Sequence, residues 1–285
     1  MRFRRRNSRP FGVAATSVLD EPQLVVRRRR GIYLLPNLFT LGNLFAGFFA
    51  IVQAMNQQFE LAAIAIFAAL VLDGMDGRVA RLTNTQSAFG EQFDSLSDMT
   101  SFGVAPALVM YEWALQDLGR WGWAGAFVYC AGAALRLARF NANLAVVDKR
   151  FFQGLPSPAA AALIAGFVWL AVDNKFPIRE AWLPWVAFLL TVYAGFTMVS
   201  SAPFYSGKSF QMGRSVPFWV MVVAIAVIFV VSSDPPIALF TLFCCYAISG
   251  YVYWAWRHYR GDKSPVKSVA STKPTAEPET PQQQL

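Results

Sequence analysis

Histidine is almost missing from this chain, and cysteine is scarce. One histidine, His258, and three cysteines, Cys130, Cys244 and Cys245, stand in 285 residues. The cysteines lie inside apolar runs, without the spacing of a zinc site or of a disulfide framework, and read as small buried hydrophobes. His258 sits in Trp256-Arg257-His258-Tyr259, at an expected membrane edge. Any proton chemistry must therefore rest on carboxylates. Charge is scarce as well: Asp, Glu, Lys and Arg make up 15% of the chain, against 55% hydrophobic residues. That balance leaves no room for a large soluble domain and predicts an all-α, multi-span membrane protein. The net charge of +8 is gathered mostly in the tails and loops. It speaks for topology and contact with membrane lipid rather than for nucleic acid.

What the chain does have is long apolar runs. They cover about 33 to 55, 60 to 81, 92 to 113, 121 to 140, 157 to 173, 182 to 200, 216 to 233 and 236 to 256, or about eight spans at 1.5 Å of rise per residue. The first follows a basic arm over residues 1–32 but shows no Ala-x-Ala cleavage site, so it reads as a helix that stays. A membrane domain over 33–256 is expected, followed by a tail over 257–285 that becomes rich in Pro, Ser, Thr, Lys and Gln from 261. Basic residues alternate between loops. Arg27 to Arg30, Arg81, Arg136, Arg139, Lys149, Arg150, Lys208, Arg214, Arg257, Arg260 and Lys263 fall on one side; Arg120, Lys175 and Arg179 fall on the other. The excess predicts both tails at the cytoplasmic face.

Against this background four aspartates are out of place. Asp73 and Asp76 end the second run, and Asp94 and Asp98 begin the third. An acid at membrane depth is costly unless it is paired, metal-bound or beside water. Spacings of three and four put each pair on one helical face. If the two helices form an antiparallel hairpin, Asp76 comes level with Asp94 and Asp73 with Asp98, giving a small cage. Four like charges in one cage need compensation, and an all-oxygen ligand set favours two divalent ions, Mg²⁺ or Mn²⁺. Paired metals suit in-line phosphoryl displacement. A divalent-cation transport path uses the same residue types. Gly74, Gly77 and Ala80 suit close helix packing, or room for a bulky nucleotide. Arg81 reads as a snorkelling cation or a phosphate contact.

Asp73-x-x-Asp76-Gly77-x-x-Ala80-Arg81, eight residues, then Gly90-x-x-x-Asp94-x-x-x-Asp98 resembles the signature of the CDP-alcohol phosphotransferase family at every fixed position. The flanking stretches Asp98-Met-Thr-Ser101-Phe-Gly103-Val-Ala-Pro106, Leu135-Arg136-Leu-Ala-Arg139-Phe-Asn141 and Phe152-Gln-Gly154-Leu-Pro156-Ser157-Pro158 resemble its phosphatidylserine synthase branch. The run Phe204-Tyr-Ser-Gly-Lys208 departs from that branch. The resemblance implies a six-helix core within the bundle, an intramembrane two-metal site and a homodimer. It implies CDP-diacylglycerol as donor and L-serine as acceptor. Asp73, Asp76, Asp94 and Asp98 would hold the metals, and Asp98 would also be the general base. Gly77, Ala80, Arg81, Gly90, Asn37 and Thr40 would meet the CDP group; helix–helix hydrogen bonding is the other reading of Asn37 and Thr40. Serine carries a carboxylate, so a cation should face it. Arg136 and Arg139 are the candidates, with Ser101 and Asn141 beside them.

Overall fold

The structure is a computed structural model, and it describes residues 34–83, 87–142, 151–173, 182–205 and 218–260. The basic arm, the loop cations Lys149, Arg150, Lys175, Arg179, Lys208 and Arg214, the side chains of Arg257 and His258, and the tail from 261 lie outside the described residues.

Eight helical rods are present among the described residues. They are α1 (Leu34–Met55), α2 (Phe59–Leu82), a composite third rod, α5 (Arg120–Ala142), α6 (Ser157–Asp173), α7 (Leu183–Val199), α8 (Phe218–Ser233) and α9 (Pro235–Tyr259). The third rod joins α3 (Ala88–Asp98) to α4 (Ala105–Met110) through a π-helical stretch at Met99–Val104, and ends in a second one at Tyr111–Leu115. Helix α3 begins four residues before the apolar run does. Ser87 caps it, its Oγ accepting from the Gly90 N–H at 3.0 Å, so a polar first turn is helical where hydropathy alone shows no helix. Helix α9 runs past 256 into the expected tail, its last turn carrying the Arg260 guanidinium 4.0 Å over the Trp256 ring. One feature is not helical: β1 (Phe151–Gln153) pairs antiparallel with β2 (Pro203–Tyr205).

The bundle buries an apolar core together with a set of polar side chains, and it leaves many large apolar side chains on its outside. Thr40, Asn43, Asp76, Ser97, Ser101, Ser157, Thr191 and Thr197 are buried, while Leu38, Phe45, Phe48, Phe127, Leu189 and Phe229 are exposed. That arrangement suits a hydrocarbon solvent. Among the described residues two helices, Pro36–Met55 and Pro235–Trp256, are long and apolar enough to cross a membrane by themselves. The core is rich in small residues: α1 buries Ala46, Ala50 and Ala54, the adjoining α2 buries Ala62, Ala65 and Ala69, and α6 buries Ala159 to Ala162. In lipid, close backbone approach supplies the packing energy that hydrophobicity cannot. Helices α5 and α7 cross so closely that a Cβ on Gly132 would lie 2.5 Å from the Gly195 carbonyl oxygen.

The π-helical stretch has a local cause. Pro106 has no N–H to offer the Phe102 carbonyl four residues back. The buried Tyr129 hydroxyl on α5 donates to that carbonyl at 3.0 Å. An orphaned carbonyl in the bundle interior costs about 1–3 kcal/mol. Tyr129→Phe should therefore lower stability by about that amount, read as an earlier unfolding transition in detergent.

Candidate active site

All the polar machinery gathers at one end of the bundle. The C-terminal end of α2, α3, the first turns of α1, the C-terminal ends of α5 and α7 and the start of α6 meet there. Asp73, Asp76 and Asp94 each bring a carboxylate oxygen to within 4.8 Å of the others. The carboxyl of Asp98 contacts that of Asp73. The four acids are thus brought together, with Asp73 and Asp98 meeting at one level, and α1 rather than a close α2–α3 hairpin is the element packed against both carriers.

Helix α1 braces this cluster from the side. Thr40 Oγ donates to Asp76 Oδ2 at 2.9 Å, and Asn43 Nδ2 donates to Asp98 Oδ1 at 3.3 Å. Asp94 Oδ1 is buried with no hydrogen-bond partner. A buried carboxylate oxygen without a donor, beside three more acids, fits a cation as its missing partner. The donor set is all oxygen, as hard divalent ions prefer.

Beside the cluster lies a cleft of ≈ 90 Å³ lined by Pro36, Asn37, Thr40, Asp76, Gly77, Ser87, Gly90, Glu91 and Asp94. Four expected donor contacts, Asn37, Thr40, Gly77 and Gly90, are brought together there. Thr40 serves twice, since its hydroxyl is also Asp76's brace. A Cβ built on Gly74 or Gly77 meets nothing within 4 Å. No described helix packs on these glycines, so the reading of open space holds over that of helix packing. Ala80 and Arg81 are not among the cleft's lining residues. Arg81 is exposed, and its Nε donates to the Gly77 carbonyl one turn back at 2.9 Å.

The expected acceptor residues separate. Arg136 turns inward: its Nη1 donates to buried Ser157 Oγ at 2.7 Å, and the guanidinium lies within electrostatic reach of Asp98. Its Nε is buried and has no partner. Arg139 instead gives Nη1 to the Val199 carbonyl at the end of α7, at 2.9 Å. It acts as a C-cap there. Asn141 is exposed and joins α5 to α3 through Ser95, Nδ2 to Oγ at 3.1 Å. Ser101 is fully buried and its hydroxyl donates to the Asn43 carbonyl at 2.9 Å, a bond between helices.

Ser157 is placed by the loop before α6. Gly154 has φ +78°, and a Cβ there would lie 2.3 Å from the Met198 carbonyl oxygen, so only glycine fits. The Gly154 and Leu155 N–H groups donate to Ala202 O and Thr197 O at 2.9 and 3.1 Å. With the β1–β2 ladder, these bonds tie the start of α6 to the end of α7. Asn43 and Ser157 were not singled out by sequence reasoning. Asn43 carries a legible signal: it lies three residues after Thr40, as Thr40 lies three after Asn37. Ser157 carries none, because its partner is 21 residues away.

A sequence model described as CDP-alcohol phosphatidyltransferase matches residues 33–193. The chain is similar to a Helicobacter pylori protein named CDP-diacylglycerol–serine O-phosphatidyltransferase, 39% identical over 223 residues that cover 78% of this chain and 92% of the relative. A protein of the same name from Methanocaldococcus jannaschii is 32% identical over 235 residues, covering 82% and 98%. Another, from Saccharomyces cerevisiae, is 36% identical over 144 residues, covering 46% and 51%.

The cluster's capacity for a cation can be read without turnover. In Mn²⁺ titrations followed by electron paramagnetic resonance, the parent chain should show bound ion. Asp94→Ala should lose it, and Glu91→Ala should keep it.

Proposed function

Because the chain belongs to the CDP-alcohol phosphatidyltransferase family, we propose that it transfers the phosphatidyl group of CDP-diacylglycerol to the hydroxyl of L-serine, giving phosphatidylserine and CMP. The observation that carries the acceptor is Arg136. It is a cation beside Asp98 with one edge pinned by Ser157 and its Nε unpartnered. Of the family's reaction partners, serine brings a carboxylate, and a guanidinium edge is its natural receptor. The names of the relatives support the same donor and acceptor.

Asp73, Asp76 and Asp94, with Asp98 completing a second position, would hold two divalent ions, Mg²⁺ or Mn²⁺. Such ions neutralise phosphate charge and leave phosphoryl transfer mainly a matter of alignment. The chain's own residues do the rest. The cleft along Asn37, Thr40, Gly77 and Gly90 receives the cytidine diphosphate portion. Arg136 orients serine with its hydroxyl toward Asp98. Asp98 takes the hydroxyl proton as that oxygen attacks the phosphorus bearing diacylglycerol. The bond from that phosphorus to the CMP oxygen breaks, and CMP leaves. Among the described residues no Cys, His or Ser is placed to demand a covalent intermediate, so the transfer is read as a single displacement. The site opens to the cytoplasm, with about eight spans and two copies of the chain per assembly.

Purified chain given CDP-diacylglycerol, Mn²⁺ and a panel of acceptors should release CMP with serine. Equal release with inositol phosphate or glycerol-3-phosphate would overturn the acceptor. Asp98→Asn should abolish turnover while keeping donor binding. Arg136→Ala should raise the serine KM by about tenfold or more, as loss of a charge-assisted hydrogen bond of about 1.5–3 kcal/mol implies. Arg139→Ala should act chiefly on stability.

A further inference from the structure

Asn43 is an expensive residue in its position. It is fully buried, and its Oδ1 has no hydrogen-bond partner. An amide that only glued two helices together would satisfy both its groups; this one leaves its carbonyl unpaired, at a cost of about 1–3 kcal/mol. The side chain's other half explains why. Nδ2 points to Asp98 Oδ1 at 3.3 Å. Turning the amide over would set its oxygen against the carboxylate, so Asp98 decides its orientation.

The backbone beneath Asn43 is held just as firmly. Ser97 Oγ donates to Thr40 O at 3.0 Å, and Ser101 Oγ donates to Asn43 O at 2.9 Å. These two bonds from the third rod bracket Asp98 in sequence and fix the depth of α1 against it. Asp98 also stands at the end of α3, where the π-helical stretch from Met99 begins. π-helical turns of this kind are frequent at functional sites. The amide of Asn43 reaches Asp98 at that junction.

Resting on the proposed role of Asp98 as base, we infer that Asn43 is a positioning residue for that base. It holds one carboxylate oxygen of Asp98 so that the other faces the incoming hydroxyl. It touches neither donor nor acceptor. Groups that orient a reacting carboxylate in this way typically matter 10- to 100-fold.

The test uses the full chain in detergent, with CDP-diacylglycerol, serine and Mn²⁺. Asn43→Leu, which keeps the branched outline without the amide, should lower kcat by about 10- to 100-fold. The KM values for both substrates should change by less than about threefold, the split expected of an interaction made only in the transition state. Asn43→Ala, on a helix face that already carries Ala46, Ala50 and Ala54, should do the same, and stands in if the leucine variant does not fold. Ser97→Ala removes a neighbouring α1–α3 bond without touching a carboxylate and gives the packing baseline. Parent-like kcat in the Asn43 variants overturns the inference. So does a loss that comes with raised donor KM and a drop in stability matching Ser97→Ala, which makes Asn43 a packing residue. Asp98→Asn run in parallel separates the two layers. If it is inactive while Asn43→Leu is normal, only the positioning role fails. If it is fully active, the base itself is misassigned and the inference falls with it.

Discussion

Four carboxylates pressed together inside an apolar bundle cannot stand on their own. Each costs roughly 2.5–3.5 kcal/mol or more at membrane depth, and each raises the cost of its neighbours. The structure answers with geometry before any ion is considered. Helix α2 ends and α3 begins at the same level, so the acids share one small volume. Helix α1 lies against both and gives a donor to each side, Thr40 to Asp76 and Asn43 to Asp98. What α1 cannot satisfy, above all Asp94 Oδ1, is left for a cation.

That constraint explains much of the packing. The acids require helices that approach closely and do not shift. Alanine, glycine, serine and threonine are accordingly frequent in the interior, beside buried Phe102, Ile66 and Met110, while many other large apolar side chains face outward. Serines at 97 and 101 bind backbone carbonyls of α1, so the two elements that carry and brace the acids keep one register. The third rod gives up regular α-helix for π-helical turns beside Asp98, and Tyr129 takes the carbonyl that Pro106 leaves free. The irregular backbone stands where the chemistry is placed, and its polar groups are satisfied from a neighbouring helix.

Arg136 and Arg139 of α5 show how differently two neighbouring cations can be used. Three residues apart on one helix, they end in different surroundings. Arg139 gives Nη1 to the Val199 carbonyl at the end of α7. Arg136 meets Ser157, which a glycine-dependent loop holds against the bundle, and keeps its Nε edge unpartnered near Asp98. Arg136 and Ser157 thus sit at the junction of α5, α6 and α7, while the cleft beside the acids belongs to α1, α2 and α3.

By itself the sequence determined the class of the fold and the identity of the acids. Hydropathy over runs of about twenty residues depends only on local composition, so the helices were legible, Asp73 to Asp98 stood out against them, and their spacing foretold which levels would meet. The start of α3 at Ala88 was obscured, because a capped polar turn has no hydropathic signal. What only the tertiary structure decided were the partners. Whether Thr40 and Asn43 brace carboxylates, whether Ser101 binds a helix, and which arginine faces Asp98 depend on residues tens of positions apart brought within 3.3 Å. A hydrogen bond is specified by distance and direction in space, and neither is written in the spacing along one helix.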